Sequence, residues 1–466
     1  MKAVTSWSFK HYVPLNEPAR MREPYICRIA PTADSFTFDF IDLAAKNASY
    51  RLFWRVRGDI ATHGVSLDGY TGTVTGLTDA TDYEFWVERD DGVKSSRRLV
   101  RTGDVPGSVI TYLHPDDREY EFSGNYLCSP SVIRVPDGRL LASMDVFAGG
   151  TPQNLTLIYE SRDDGRTWQH LTELFPCFWG KMFLCRGKLY MLGCSTEYGD
   201  LLIGRSDDFG ENWTLPTVIL RGACDPRWSG CHRAPMPVLE KDGRIMTDLQ
   251  FGSWAKKTFS DAVVSAPADA DLLDPASWVC SEMWNVAESA PQWLDKFCGG
   301  IEGTMVEAPD GTVYDFLRCS DRKALLLRYD VQNPEGALVF EDVIDFPATA
   351  SKWDVIRDEV TGKYIAIVSW ALDEPKTLRN LLSLIWSEDL RHWHLAEHLI
   401  DFRDADTKMV GFQYIDFFIE GEDIYYTNRV ALNQAHNFHD ANYQTFHKVE
   451  GFRSLLVGAG ASTARF

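Results

Sequence analysis

Several short stretches concentrate side chains that can do chemistry. Ala435-His-Asn-Phe-His-Asp-Ala-Asn-Tyr443 packs His436, His439 and Asp440 into one run. Imidazoles and a carboxylate so placed can ligate a metal or line a site through hydrogen bonds. The second reading is taken here, with no metal and no other cofactor expected. Cys231-His-Arg-Ala-Pro-Met-Pro-Val238 sets His232, a base, beside Arg233, a fixed cation. Glu197-Tyr-Gly-Asp200 offers two carboxylates on what reads as a turn. Trp228, Trp254, Trp284 and Trp293 can stack on sugar rings, although core packing accounts for most tryptophans. No glycine-rich phosphate loop, Ser-His-Asp signature or HExxH zinc motif is present in the sequence.

These residues need a scaffold, and composition narrows it. The 466 residues are 45% hydrophobic and 24% charged, which fits a globular chain with a sizeable core. The 47 basic against 67 acidic residues give a formal charge of −20, so the basic field that nucleic acid or an anionic membrane requires is missing. No run approaches the ~18 apolar residues of a membrane helix. The first 25 residues show no apolar leader. The expectation is therefore a cytoplasmic protein, or a periplasmic or secreted one if a leader has been removed. The ten cysteines form no CxxC pair. They read as buried free thiols, with a few disulfides in an exported protein as the alternative.

Aromatics reach 13% and turn signals recur throughout, which points to an all-β protein of many short strands. Residues 1–106 read as a small β-sandwich. Ser35-Phe-Thr-Phe-Asp-Phe and Tyr50-Arg-Leu-Phe-Trp-Arg-Val alternate apolar and polar residues. Leu77, Tyr83, Phe85 and Val87 match the leucine turn and Tyr-x-Phe-x-Val strand of fibronectin type III modules. Residues 107–466 repeat a turn followed by a strand. The glycines of the six turns are Gly138, Gly187, Gly243, Gly311, Gly362 and, after it, Gly421 ahead of Glu422-Asp-Ile-Tyr-Tyr-Thr, at intervals of 49 to 68 residues. A four-stranded blade takes roughly 40–50 residues, so six units predict a six-bladed β-propeller. His232 and Arg233 precede the third unit and are expected to face the propeller axis.

A second repeat accompanies the first. Ser161-Arg-Asp-Asp-Gly-Arg-Thr-Trp168 is followed by Ser206-Asp-Asp-Phe-Gly-Glu-Asn-Trp213 and by the shorter Ser387-Glu-Asp-Leu-Arg-His-Trp393. Ser and Asp side chains satisfy backbone donors of a hairpin turn, glycine takes an unusual φ, and tryptophan packs between strands. These are Asp boxes, scaffold and not catalytic machinery. With them, residues 120–450 resemble the sialidase (neuraminidase) superfamily of six-bladed propellers.

That resemblance implies a tyrosine nucleophile, a glutamate base, three arginines for the substrate carboxylate and an aspartic acid that protonates the leaving group. Phenol attack avoids placing a carboxylate nucleophile beside an anionic sugar, and a pKa near 10 requires a neighbouring base. Glu302 looks like the glutamate, Arg318 and Arg379 like the second and third arginines, and Tyr414 like the nucleophile. Two positions depart from the pattern. Cys128 or Ser129 stands where the first arginine belongs. The loop after the first inner strand, Val146 to Asn154, has no acid, which leaves Asp145 as the nearest candidate. The function expected is an exo-acting glycoside hydrolase on a terminal acidic or related sugar, with a glycan as partner. The alternatives are a uronate polysaccharide lyase using His232, Tyr414 and Arg318 or Arg379, and a non-catalytic carbohydrate-binding propeller.

Overall fold

The computed structural model describes residues 22–45, 47–222, 229–255, 258–285, 300–372 and 379–457. Two small sheets come first. One orders Tyr25–Pro31, Ser35–Ile41 and Thr71–Thr75; the other orders His63–Leu67, Tyr50–Val56, Asp82–Arg89 and Arg98–Arg101. Their alternating aromatic residues meet between them, with the Phe36 and Phe85 rings 4.7 Å apart. The Tyr83 hydroxyl accepts the Thr78 backbone N–H at 2.9 Å and pins the corner between the sheets.

Six further sheets follow, each with a four-stranded antiparallel path. The six repeat glycines all have positive φ. Each ends the turn that opens its sheet's second strand: Leu140–Phe147, Lys188–Cys194, Arg244–Ser253, Val313–Ser320, Tyr364–Ser369 and Asp423–Ala431. The six sheets are the blades of a propeller, and the chain is all-β, as the sequence predicts. Blade 6 closes the ring: its outer strand, Ser108–Tyr112, comes from the start of the propeller and pairs with Tyr443–Val449 near its end. This pairing joins the beginning and the end of the propeller in one sheet.

The Ser/Asp/Trp turns join third to fourth strands. In the first, Ser161 Oγ accepts from Gly165 N at 2.8 Å, Asp163 Oδ1 from Thr167 N at 2.9 Å, and Trp168 Nε1 donates to Gly165 O at 3.1 Å. The second repeats these bonds through Ser206, Asp208 and Trp213. In the shortened third, Leu390 takes the glycine's role with φ 64°, and Trp393 Nε1 donates to its carbonyl.

Charges tie the blades together near the axis. Asp416 of blade 6 accepts from Lys181 of blade 2 at 2.5 Å and from the Val132 N–H of blade 1 at 2.6 Å. Removing one partner of such a buried pair costs about 3–5 kcal/mol. The sandwich is fixed to this ring. Arg98 meets Asp117 at 2.8 Å with both side chains buried, and Tyr25 and Cys27 share a core with Tyr159 and Trp168 of blade 1.

Candidate active site

A strand alternates its side chains between two faces, and a β-bulge breaks that alternation by inserting one residue. The innermost strands of three blades carry such a break. In blade 2 the register shifts between Phe178 and Lys181, in blade 4 between Ile301 and Thr304, and in blade 6 between Gln413 and Asp416. One bulged residue of each takes positive φ: Trp179 at 54°, Glu302 at 56° and Tyr414 at 56°. These three side chains line one cavity of about 360 Å³. At Trp179 and Glu302 the strained backbone is held from the preceding blade. Asp145 of blade 1 accepts the Trp179 N–H at 2.7 Å; Gln250 and Asp248 of blade 3 accept the Glu302 and Gly303 N–H groups at 3.1 and 2.6 Å. Positive φ at non-glycine residues costs energy and persists where the surroundings enforce it.

Within the cavity the Tyr414 hydroxyl donates to Glu302 Oε1 at 2.7 Å, and Arg318 Nη1 donates to Glu302 Oε2 at 2.5 Å. Arg318 also reaches the Tyr414 oxygen at 3.4 Å. Burial opposes ionisation of Glu302, yet Arg318, His232 and the two hydrogen bonds outweigh it and hold the carboxyl below its ordinary pKa. Burial and the Glu302 charge push the Tyr414 phenol up to about 12, against the arginines. At neutral pH a protonated phenol therefore faces an ionised acceptor.

Two further guanidinium groups surround the pair. Arg379, just before the third strand of blade 5, donates to Ala350 O at 2.7 Å and to Gln413 Oε1. Burial first, then the Arg318 charge, brings its pKa down to about 10, with Arg429 contributing in the same direction. Arg429, on the second strand of blade 6, lies 4.6 Å from the Tyr414 ring centroid and donates to His439 O at 2.7 Å. It also lines the cavity. The sequence reading did not include it. Its signal was present: one cation in a strand, Asp423–Ala431, whose other middle residues are apolar or neutral.

The remaining expectations divide. His232 lines the cavity, packed 4.6 Å from Trp179 and 4.8 Å from Phe259 between ring centroids. Burial depresses its pKa to about 4, so the imidazole is neutral at pH 7. Arg233 does not join it and is corrected to a scaffold residue. Neighbours in an extended chain point opposite ways, and its buried guanidinium turns to Ala234 O at 3.1 Å. Asp145 is likewise corrected. Its carboxyl bonds Thr156 Oγ1 at 2.5 Å and Trp179 N, lies fully buried outside the cavity lining, and is pushed up to about 8 by burial.

Glu197 and His439 line the cavity; His436 stacks on Tyr126 instead, at 4.9 Å, and Asp440 bonds both imidazoles. Among the described residues no cluster of three His, Cys, Asp or Glu side chains is arranged to hold a metal. Trp254 stands half-exposed at the cavity, while Trp284 is buried in a core. Trp228, Trp293, Cys224 and Cys298 lie outside the described residues; seven of the eight described cysteines are buried, and Cys280 is half-buried.

No protein family and no curated protein sequence matches the chain. Solved structures do. The alpha-L-arabinanase of Penicillium chrysogenum, complexed with arabinobiose, aligns over 76% of this chain and 99% of its own, with 11% identity and a TM-score of 0.51. The leech intramolecular trans-sialidase, complexed with 2,7-anhydro-Neu5Ac, aligns over 94% of this chain and 92% of its own, with 10% identity and the same TM-score of 0.51. At these identities the likeness is one of fold: this chain shares its architecture with glycoside-processing enzymes.

Proposed function

We propose that the protein is an exo-acting glycoside hydrolase that removes a terminal sugar bearing a carboxylate, with Tyr414 as nucleophile and Glu302 as its base. The observation that carries this reading is the 2.7 Å hydrogen bond from Tyr414 to Glu302 inside a cavity lined by three arginines. In this reading the substrate carboxylate sits against Arg379, Arg429 and Arg318. Tyr414 Oη attacks the anomeric carbon while its proton passes to Glu302. An uncharged nucleophile suits a substrate whose reacting carbon carries an anion. The arginines are a local cationic island in a chain of net charge −20, which favours an anionic ligand there. A cavity of about 360 Å³ suits one terminal sugar better than the middle of a polymer.

The strain at Glu302 and Tyr414 supports a catalytic over a purely binding role, because backbone outliers cluster where chemistry needs them. A lyase is the second reading. It rests on His232, neutral and with Nδ1 unpartnered in the same cavity. The three turns with Ser/Asp/Trp bonding support reading them as Asp boxes, and the tyrosine corner supports a fibronectin type III-like module. The test is digestion of a mixed panel of sialylated glycans and uronate polysaccharides, read for reducing ends and for ultraviolet absorbance of unsaturated uronate. Reducing ends without absorbance are expected; absorbance rising with them would make the protein a lyase.

A further inference from the structure

A sugar alcohol is a poor leaving group, so cleavage of a natural glycosidic bond needs a proton donor. Glu302 cannot serve, because both its oxygens are committed to Tyr414 and Arg318 and it is held ionised. Asp145 is sealed behind Thr156 and Trp179. The loop of blade 1 in which an acid was expected presents Gln153 to the cavity. Among the described lining residues one other carboxyl remains, Glu197, on the loop between Lys188–Cys194 and Leu201–Ser206 of blade 2.

We infer that Glu197 is the proton donor of this active site, supplied by blade 2 in place of the acid absent from blade 1. This rests on the hydrolase reading and extends it. The cavity is divided by chemistry. Blades 4, 5 and 6 contribute Arg318, Arg379, Arg429, Glu302 and Tyr414. Blades 2 and 3 contribute Trp179, Glu197, His232 and Trp254. In a ring of six, blade 2 stands opposite blade 5. A sugar whose carboxylate rests on the arginines therefore turns its glycosidic oxygen toward the Glu197 side, where Trp179 and Trp254 offer faces for the leaving sugar.

Burial raises the Glu197 pKa, and the Gln153 Nε2 bond to Oε2 at 2.6 Å opposes that rise. As Tyr414 Oη bonds the anomeric carbon, the Glu197 proton passes to the departing oxygen and the C–O electron pair leaves with it. Water then attacks the glycosyl-tyrosine, the Glu197 carboxylate takes its proton, and the phenolate recovers its own from Glu302. Both groups return to their starting states.

The test compares leaving groups in Glu197→Gln. The substrates are 3′-sialyllactose with umbelliferyl sialoside, and a glucuronyl disaccharide with umbelliferyl glucuronide. Phenolic leaving groups depart without a proton. The expected result, on whichever pair the protein cleaves, is a fall in kcat/KM of at least ~100-fold on the oligosaccharide and under ~10-fold on its umbelliferyl partner. Equal losses on both members of the pair, or no loss on the oligosaccharide, would overturn the assignment. A wild-type protein that cleaves none of the four would overturn the hydrolase reading itself, and the role of Glu197 with it. Gln153→Met, which removes the bond favouring the carboxylate, is expected to move the basic limb of the kcat/KM profile to higher pH; an unmoved limb would also contradict the role.

Discussion

Arg429 Nη1 lies 3.3 Å from the Sγ of Cys128. Cys128 and Ser129 are the two positions at which the resemblance calls for an arginine, and the guanidinium beside Cys128 comes from blade 6. The cysteine is small enough to leave room for it, and burial pushes its thiol up to about 12, so it adds no charge. The cavity lining thus holds three guanidinium groups, one each from blades 4, 5 and 6.

Arg429→Met is predicted to raise KM at least ~10-fold with a smaller change in kcat, since binding of the carboxylate is lost in ground and transition states alike. Arg429→Lys is not expected to restore it, because an ammonium lacks the planar fork. Inhibition by an acidic sugar and by its methyl ester, compared in wild type and variant, checks this. The wild type should prefer the acid and the variant should not.

Tyr414→Phe and Glu302→Gln are each expected to lower kcat by ~10³-fold or more while leaving the fold intact. Glu302→Leu should differ from Glu302→Gln in stability. It strands the Arg318 guanidinium, nearly buried beside it, and is predicted to cost about 3–5 kcal/mol. Calorimetry of the three variants separates the catalytic loss from the structural one.

Stability should fall as pH rises from about 4 to about 8, in part through Asp145. Its folded pKa of about 8 exceeds the unfolded value near 3.9, so within that window the unfolded chain has lost a proton that the folded one keeps. Asp145→Asn removes this contribution. Its melting temperature is predicted to decline less between pH 5 and 8 than the wild type's. Activity should stay within ~3-fold of wild type, because the side chain is outside the cavity.

Gly165→Ala is expected to destabilise by several kcal/mol. A Cβ there would meet the Phe446 ring at 2.0 Å, at φ +81°, where blade 1 abuts the closing strands of blade 6. Gly187→Ala, at φ +72° with nothing within 4 Å of the new atom, should cost only about 1 kcal/mol. Thermal melts of the two proteins distinguish packing from backbone strain.

The blades were legible because their marks are local. A turn glycine opens each second strand, and the Ser/Asp/Trp turns satisfy their own backbone within eight residues. Leu390 shows the limit of that code, since nothing in its chemistry announces a positive φ. Glu302, Arg318, Arg379 and Tyr414 were named from a resemblance, and the structure brings them around one cavity. The bulges that aim Glu302 and Tyr414 there leave no compositional trace. Asp145 and Arg233 were misplaced because a polar residue in an apolar strand reads alike whether it faces a site or braces a neighbouring bulge. Glu197 was visible as a carboxylate on a turn and Arg429 as a lone cation in a strand, but only the folded ring shows that both line the cavity.

The most direct measurement is capture of the glycosyl-enzyme. A fluorosugar of the acidic substrate, with fluoride as leaving group and a second fluorine beside the anomeric carbon to slow release, is incubated with the protein, which is then digested and mapped by mass spectrometry. The account predicts one sugar added on the peptide containing Tyr414, absent in Tyr414→Phe. A wild-type protein that hydrolyses the parent glycoside but carries the label on another residue, or carries none, would contradict it.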